Sequence, residues 1–272
     1  MTAPSAGASG GARPGRGALR WLGHATVVLD LQGVRLITDP VLRQRVGMLR
    51  RHAAAIQPEQ YAGPRAVLLS HLHADHLDLP SLRLLGRCRI IAPRGAGPML
   101  RAAGMQDVVE LAAGERASLG PVEVEAVAAE HDGRRLPLPG SPTADALGYL
   151  VHGGTRVYVA GDTALHEGMA GLRGRVDVAI LPVGGWGLTL GPGHMDPVQA
   201  AEALALVRPR VALPVHWGTL RPLGLRRVRG DLFSLPGERF RQAAAALAPD
   251  VRVAVLFPGE ALAPTLLADD AP

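Results

Sequence analysis

The stretch His71-Leu72-His73-Ala74-Asp75-His76 constrains this chain more than any other. Three imidazoles and one carboxylate in six positions form the ligand mix that borderline divalent metals such as zinc take up. The hexad follows an apolar run, Ala66-Val67-Leu68-Leu69-Ser70, that reads as a buried strand. On an extended backbone residues two apart point the same way, so His71 and His73 aim at one point. The leucine-spotted segment beyond, Leu77 to Leu85, predicts a helix from about Pro80. The fold must therefore carry a strand end to a shared metal pocket.

Other apolar runs end in the same residue types. Asp162 sits in Ala160-Gly161-Asp162-Thr163 after the strand-like Arg156-Val157-Tyr158-Val159, where the glycine allows a sharp turn. His131 follows the alternating run Val122 to Val127, and His216 closes Val211-Ala212-Leu213-Pro214-Val215. Each alone reads more readily as a capping aspartate or a satisfied core histidine. Beside the hexad they read as one site along the edges of sheets.

Together these residues resemble the metallo-β-lactamase-fold hydrolases. Four further motifs resemble the branch of N-acylphosphatidylethanolamine phospholipase D-like and L-ascorbate-6-phosphate lactonase-like enzymes. They are Trp21-Leu22-Gly23-His24-Ala25-Thr26, Thr38-Asp39-Pro40, Gly193-His194-Met195-Asp196-Pro197 and His216-Trp217-Gly218-Thr219. The likeness spans about residues 18 to 260. Asp132 and Ala74 stand where the family often has aromatic residues. The resemblance implies an α/β protein, an αββα sandwich of two mixed β-sheets with helices outside. It implies a binuclear centre: His71, His73 and His131 on one metal, Asp75, His76 and His216 on the other, and Asp162 bridging. Two divalent ions are expected, with zinc favoured on ligand type and manganese or iron also accommodated. Water shared by two cations has its pKa lowered towards ~7, and it would attack a phosphodiester or a lactone or ester bond. Asp75 would orient that nucleophile. His194, on a glycine-flanked loop, would act catalytically as general acid or oxyanion donor without binding metal. His24 and Asp39 would hold ligand imidazoles in their working tautomers.

Composition narrows the partners. A chain of 272 residues suits one large domain or two fused halves, and 47% hydrophobic with 19% charged residues is ordinary for a globular protein. Lysine and asparagine are absent, so the net charge of +5 comes from arginine and reads as a solvated surface rather than a nucleic-acid groove. Aromatic content of 3% leaves little for base stacking and argues against nucleic acid as a partner. The single cysteine, Cys88, rules out an internal disulfide and fits a cytoplasmic protein. Residues 1–17 read as a disordered tail without a secretory apolar core, 18–262 as the hydrolase domain, and 263–272 as a frayed terminus. No apolar run is long enough to span a bilayer, which leaves peripheral membrane contact open. The oligomeric state is not set by the sequence.

Periodicity predicts hairpins around Gln32-Gly33, Gly120-Pro121 and Gly153-Gly154 and helices over 97–103, 197–207 and 237–247. Strands are expected over 107–111, 176–183, 211–215 and 251–257, and a basic helix–loop, or a lid, over Arg43 to Ile56. Asp196 is the expected N-cap of the helix at Pro197. Arg134, Arg135 and Arg221, with Arg226, Arg227 and Arg229 beyond, suggest a small anionic substrate, since guanidinium forks suit phosphate and carboxylate. Trp186 and Trp217 would supply an apolar wall. A nuclease of the same fold and a non-catalytic metal-binding or sensor protein remain the alternatives.

Overall fold

The computed structural model describes residues 18–187, 189–224 and 230–262, so the terminal tails and Arg226, Arg227 and Arg229 lie outside the described residues. Strands β1 (Ala18–Gly23), β2 (Thr26–Leu31) and β3 (Val34–Thr38) form an antiparallel meander. Gln32 and Gly33 join β2 to β3 with both φ angles positive, 47° and 77°, as a two-residue type I′ turn requires. Gly23 and His24, at φ 112° and 52°, reverse the chain between β1 and β2.

After the short hairpin of β4 (Arg45–Val46) and β5 (Leu49–Arg51) come α1 (Pro58–Tyr61), β6 (Ala66–Leu68), α2 (Leu79–Leu84), β7 (Arg89–Pro93), α3 (Gly97–Ala102) and β8 (Val108–Leu111). The first sheet runs β1-β2-β3-β6-β7-β8, antiparallel at one side and parallel from β3 onward. The second half repeats this plan. Antiparallel β9 (Arg116–Leu119), β10 (Val122–Ala128), β11 (Leu147–Gly153) and β12 (Thr155–Val159) lead into β13 (Val178–Pro182), α4 (Pro197–Val207) and β14 (Val211–Val215). The edge strand β15 (Leu220–Pro222), the helices α5 (Asp231–Ser234) and α6 (Pro236–Leu247), and β16 (Arg252–Val253) complete the described chain. The second sheet runs β9-β10-β11-β12-β13-β14-β16, with β12, β13, β14 and β16 parallel.

Alternation along the strands explains the layering. Leu19 and Trp21 of β1, Val27 and Leu29 of β2 and Leu36 of β3 join the second sheet's inner face in one core. Leu22, Val28 and Ile37, the residues between, face a separate cluster with Leu82 of α2 and Leu100 of α3. On the far side α4 and α6 pack on β13 and β14. The result is the expected αββα sandwich.

Asp196 caps α4 as expected: its carboxylate accepts from Val198 N and Gln199 N, and Gln199 reciprocates to complete a capping box. Two expectations fail. Arg43 to Ile56 holds no helix; β4 and β5 pair with the distant β15 in a three-stranded sheet whose apolar side, Val41, Val46, Leu49 and Leu220, packs on Ala74. The strand expected over 251–257 pairs with β14 only at Arg252 and Val253. No helix among the described residues is long and apolar enough to cross a membrane.

Candidate metal centre

β6 delivers the hexad to the rim of its sheet. Leu69 to His73 continue without a helical turn, and then His76 N and Leu77 N bond back to His73 O at 3.1 and 2.8 Å. The run brings His71 Nε2 and His73 Nδ1 to 2.9 Å, and His131, from the loop after β10, places its Nε2 3.1 Å from the same His73 nitrogen. His71 Nδ1 donates to Ser70 Oγ (2.9 Å) and His131 Nδ1 donates to Gly193 O (2.8 Å). With those hydrogens placed, both Nε2 atoms are bare lone pairs. Three converging nitrogens then share at most one hydrogen, which a cation satisfies and a hydrogen-bond network does not.

A second cluster adjoins it. His76 Nε2, His216 Nε2 and Asp162 Oδ2 form a triangle with sides of 3.0, 3.2 and 3.2 Å. Asp75 Oδ2 stands 3.9 and 3.8 Å from the same two nitrogens. Asp162 lies within ligand reach of His71 and His76 on one side and of His131 and His194 on the other. Its Oδ1 is buried with no hydrogen-bond partner. An unsatisfied buried acceptor costs roughly 1–3 kcal/mol or more, and a bound cation would remove that cost. The donor set therefore fits divalent metal.

Strand ends set these positions, and the backbone is strained to do so. Asp39, His24 and His216 occupy the left-handed region at φ 35°, 52° and 64°. Asp39, beyond β3, accepts from Ser70 N (2.8 Å), Ser70 Oγ (2.6 Å) and His76 Nδ1 (2.8 Å). His24, in the turn after β1, reaches Asp75 Oδ2 at 2.9 Å, and Trp186 Nε1 donates to the same oxygen at 2.8 Å. His216, beyond β14, donates from Nδ1 to Gly184 O (2.9 Å), beyond β13. Close approach demands glycine at two places. A Cβ on Gly161 would meet Ser70 Cβ at 2.6 Å, and one on Gly193 would meet His131 Nδ1 at 2.8 Å.

Burial tunes the charges. It pushes the His73 imidazole down to about 4, aided by His131, and that of His216 down to about 3; His71 and His131 are lowered for the same reason. Neutral imidazoles are what metal coordination needs. Burial also opposes charge on His76, but Asp162 and Asp39 outweigh it and hold the pKa well above the usual value. Asp75 and Asp162 sit well below the carboxylate range: desolvation works against them, His24 and His76 overcome it at Asp75, and His216 and His76 at Asp162.

The clusters open into a cavity of about 750 Å³ lined by His73, Asp75, Asp162, His194, His216, Trp186 and Arg135, among others. His194 Nε2 lies 3.3 Å from Asp162 Oδ2. Burial lowers its pKa, but the Asp162 hydrogen bond and charge raise it further, so it rests above its ordinary value. The other expected substrate contacts separate. Arg134 is exposed to solvent, Arg221 stacks over Phe233 at 4.7 Å away from the cavity lining, and Trp217 is buried against Trp21 rather than in the wall. Arg135 lines the cavity but spends Nη1 on Leu72 O and Leu77 O, both at 2.7 Å, fastening the hexad loop. Ser70 is the group the sequence reading missed; its one signal is its place directly before the first histidine.

Facing mixed sheets flanked by helices, with an imidazole–carboxylate cluster where their strands end, define the metallo-β-lactamase fold. A family profile described as "Beta-lactamase superfamily domain" matches residues 34–217. The UPF0173 metal-dependent hydrolase of Methanopyrus kandleri is 30% identical, covering 89% of this chain and 97% of its own length. A protein of Mycobacterium tuberculosis with no function in its name is 34% identical over 91% of this chain and 69% of its own. Among solved structures, Igni18, a metallo hydrolase from Ignicoccus hospitalis, superposes with a TM-score of 0.70 at 23% identity, over 91% of this chain and 98% of the other. The chain belongs to the β-lactamase superfamily and, within it, to the UPF0173 metal-dependent hydrolases.

Proposed function

We propose that the chain is a two-metal hydrolase that adds water across an ester, lactone or phosphodiester bond of a small molecule. His71, His73 and His131 would hold one cation and Asp75, His76 and His216 the other, with Asp162 between them, and nitrogen-rich donors favour zinc. The observation that carries this is Asp162: one oxygen is 3.2 Å from both His76 and His216, and the other is buried without a partner. Bound divalent cations supply Lewis acidity, polarising the scissile oxygen and lowering the pKa of water towards ~7.

The chain's own groups divide the remaining work. Asp75 and Asp162 are too acidic to shuttle protons near neutral pH, so they hold cations and orient water. His194, half-buried at the cavity with Nε2 3.3 Å from Asp162 Oδ2, is the group placed to give a proton to the leaving-group oxygen. Asp39 and His24 keep His76 and Asp75 in their working orientations. The motifs around these two residues support the likeness to the phospholipase D-like and lactonase-like branch. The catalytic unit is residues 18–262.

Elemental analysis of the purified chain, coupled to a panel of lactones, carboxylic esters, phosphodiesters and nucleic acids, tests this. Two metals per chain and hydrolysis that a chelator abolishes are expected. A fully loaded protein with a single metal, or two metals with no hydrolysis across the panel, would refute it.

A further inference from the structure

Outside its histidines, aspartates and Arg135, the cavity lining is largely apolar. Val46, Met48, Leu49, Pro137, Leu190 and Pro222 form its walls. Four of these come from the small β4-β5-β15 sheet and its turn, which is anchored on the hexad through Ala74. Arg135 is the only arginine among the described lining residues, and its Nη1 is already engaged by two backbone carbonyls. Three of the lining side chains, Met48, Trp186 and Leu190, are among the eleven exposed large apolar side chains of the described residues. Such side chains scatter singly on ordinary surfaces, and their gathering at one cavity mouth marks a place where apolar matter binds.

We propose that the substrate carries an uncharged acyl or alkyl chain, seated against these walls while the scissile bond lies over Asp162 and His194. This names the substrate class of the hydrolase proposed above, rests on that reading, and places recognition on these walls rather than on the arginines. For an acyl ester, water adds to the acyl carbon, the carbon–oxygen bond breaks, and the departing oxygen takes the proton, giving acid and alcohol. A cavity of about 750 Å³ is in the range that encloses small organic ligands. The chain is taken to arrive on a dispersed molecule, although a bilayer lipid would present the same chemistry.

The metal-loaded full chain, assayed with p-nitrophenyl esters from acetate to decanoate below their aggregation limits, provides the test. kcat/KM should climb roughly two- to fourfold per methylene until the cavity is full, the range that methylene burial allows. Met48→Asp and Leu190→Asp should flatten that slope, whereas Leu247→Asp, on an exposed apolar side chain at the end of α6, should not. Calorimetric titration of metal-free protein with n-alkanols from butanol to decanol reads the same subsite without catalysis, and affinity should rise with length. A flat or falling dependence in both series overturns the inference. A loaded enzyme that hydrolyses esters with no chain-length preference overturns it while leaving the hydrolase reading intact. One that hydrolyses nothing yet binds longer alkanols more tightly sinks the hydrolase reading and keeps the apolar subsite. With decanoate in phosphatidylcholine vesicles, a rate that tracks dissolved ester is expected, and a rate that tracks lipid surface overturns the dispersed source.

Discussion

Asp39→Asn isolates what one buried carboxylate does for two imidazoles. Asp39 accepts three hydrogen bonds, two from Ser70 and one from His76 Nδ1, and Ser70 Oγ in turn accepts from His71 Nδ1. The carboxylate thereby keeps hydrogen on Nδ1 of both rings and turns each Nε2 toward the clusters. Asparagine retains one oxygen. If its amide nitrogen takes the place of Oδ1, it meets the Ser70 N–H donor to donor. If it takes the place of Oδ2, His76 Nδ1 must accept, and the ring's hydrogen moves to Nε2, the atom 3.0 Å from His216. At least one buried bond to a charged acceptor is lost, so the metal-free protein should be less stable by about 2–4 kcal/mol. Metal affinity should fall about 10–100-fold, the usual effect of removing a partner behind a ligand. Urea unfolding in chelator gives the first quantity, and competition against a chromophoric chelator gives the second. Lower stability with undiminished affinity would show that Asp39 supports the fold without setting the tautomers; no change in either would refute the reasoning entirely.

Asp162→Ala should leave the chain unable to hold a metal pair, and added metal should no longer raise its melting temperature; retention of two metals by elemental analysis would remove Asp162 from its bridging role. His194→Ala should keep both metals and lose roughly 10²-fold in kcat, about 2.7 kcal/mol of transition-state stabilisation, whereas loss of metal would make it a ligand. Away from the centre, desolvation opposes the charge on Asp177, but bonds from the Arg156 guanidinium and amide outweigh it and lower its pKa. Its contribution is therefore present above the unfolded value of about 3.9 and fades as pH falls through the lower folded value. In metal-free protein Asp177→Asn should flatten the acid limb of the stability curve, and an unchanged limb would deny the linkage.

What the sequence discloses follows how local each determinant is. The hexad, the capped helix at Pro197 and the turn at Gln32-Gly33 are spelled by near neighbours, and the structure places them as read. His131, Asp162 and His216 were legible because strands end visibly at those residues. The β4-β5-β15 sheet was not, since Leu49 pairs with Pro222, far along the chain, and nothing within Arg43 to Ile56 names that partner. Arg134 and Arg135 are adjacent and identical in type, yet one faces solvent and the other clasps two carbonyls. Only the shape of the surrounding loop decides between them. The anionic expectation rested on such arginines, while the apolar wall comes from a sheet that periodicity could not reveal.

The two clusters draw on both sheets, and this ties the core to the chemistry. His71, His73, Asp75 and His76 ride on the first sheet, and His131, Asp162 and His216 on the second. Burial of apolar surface presses the sheets together but, being non-directional, says little about how far one may slide along the other. Groups converging at about 3 Å tolerate an error of roughly half an ångström. The sliding coordinate is therefore fixed by the side chains packed between the sheets, Leu36 and Val124 among them. Core residues of this kind act as the gauge block of the instrument. Repacking them would change how well the chain grips metal before it changed whether the chain folds.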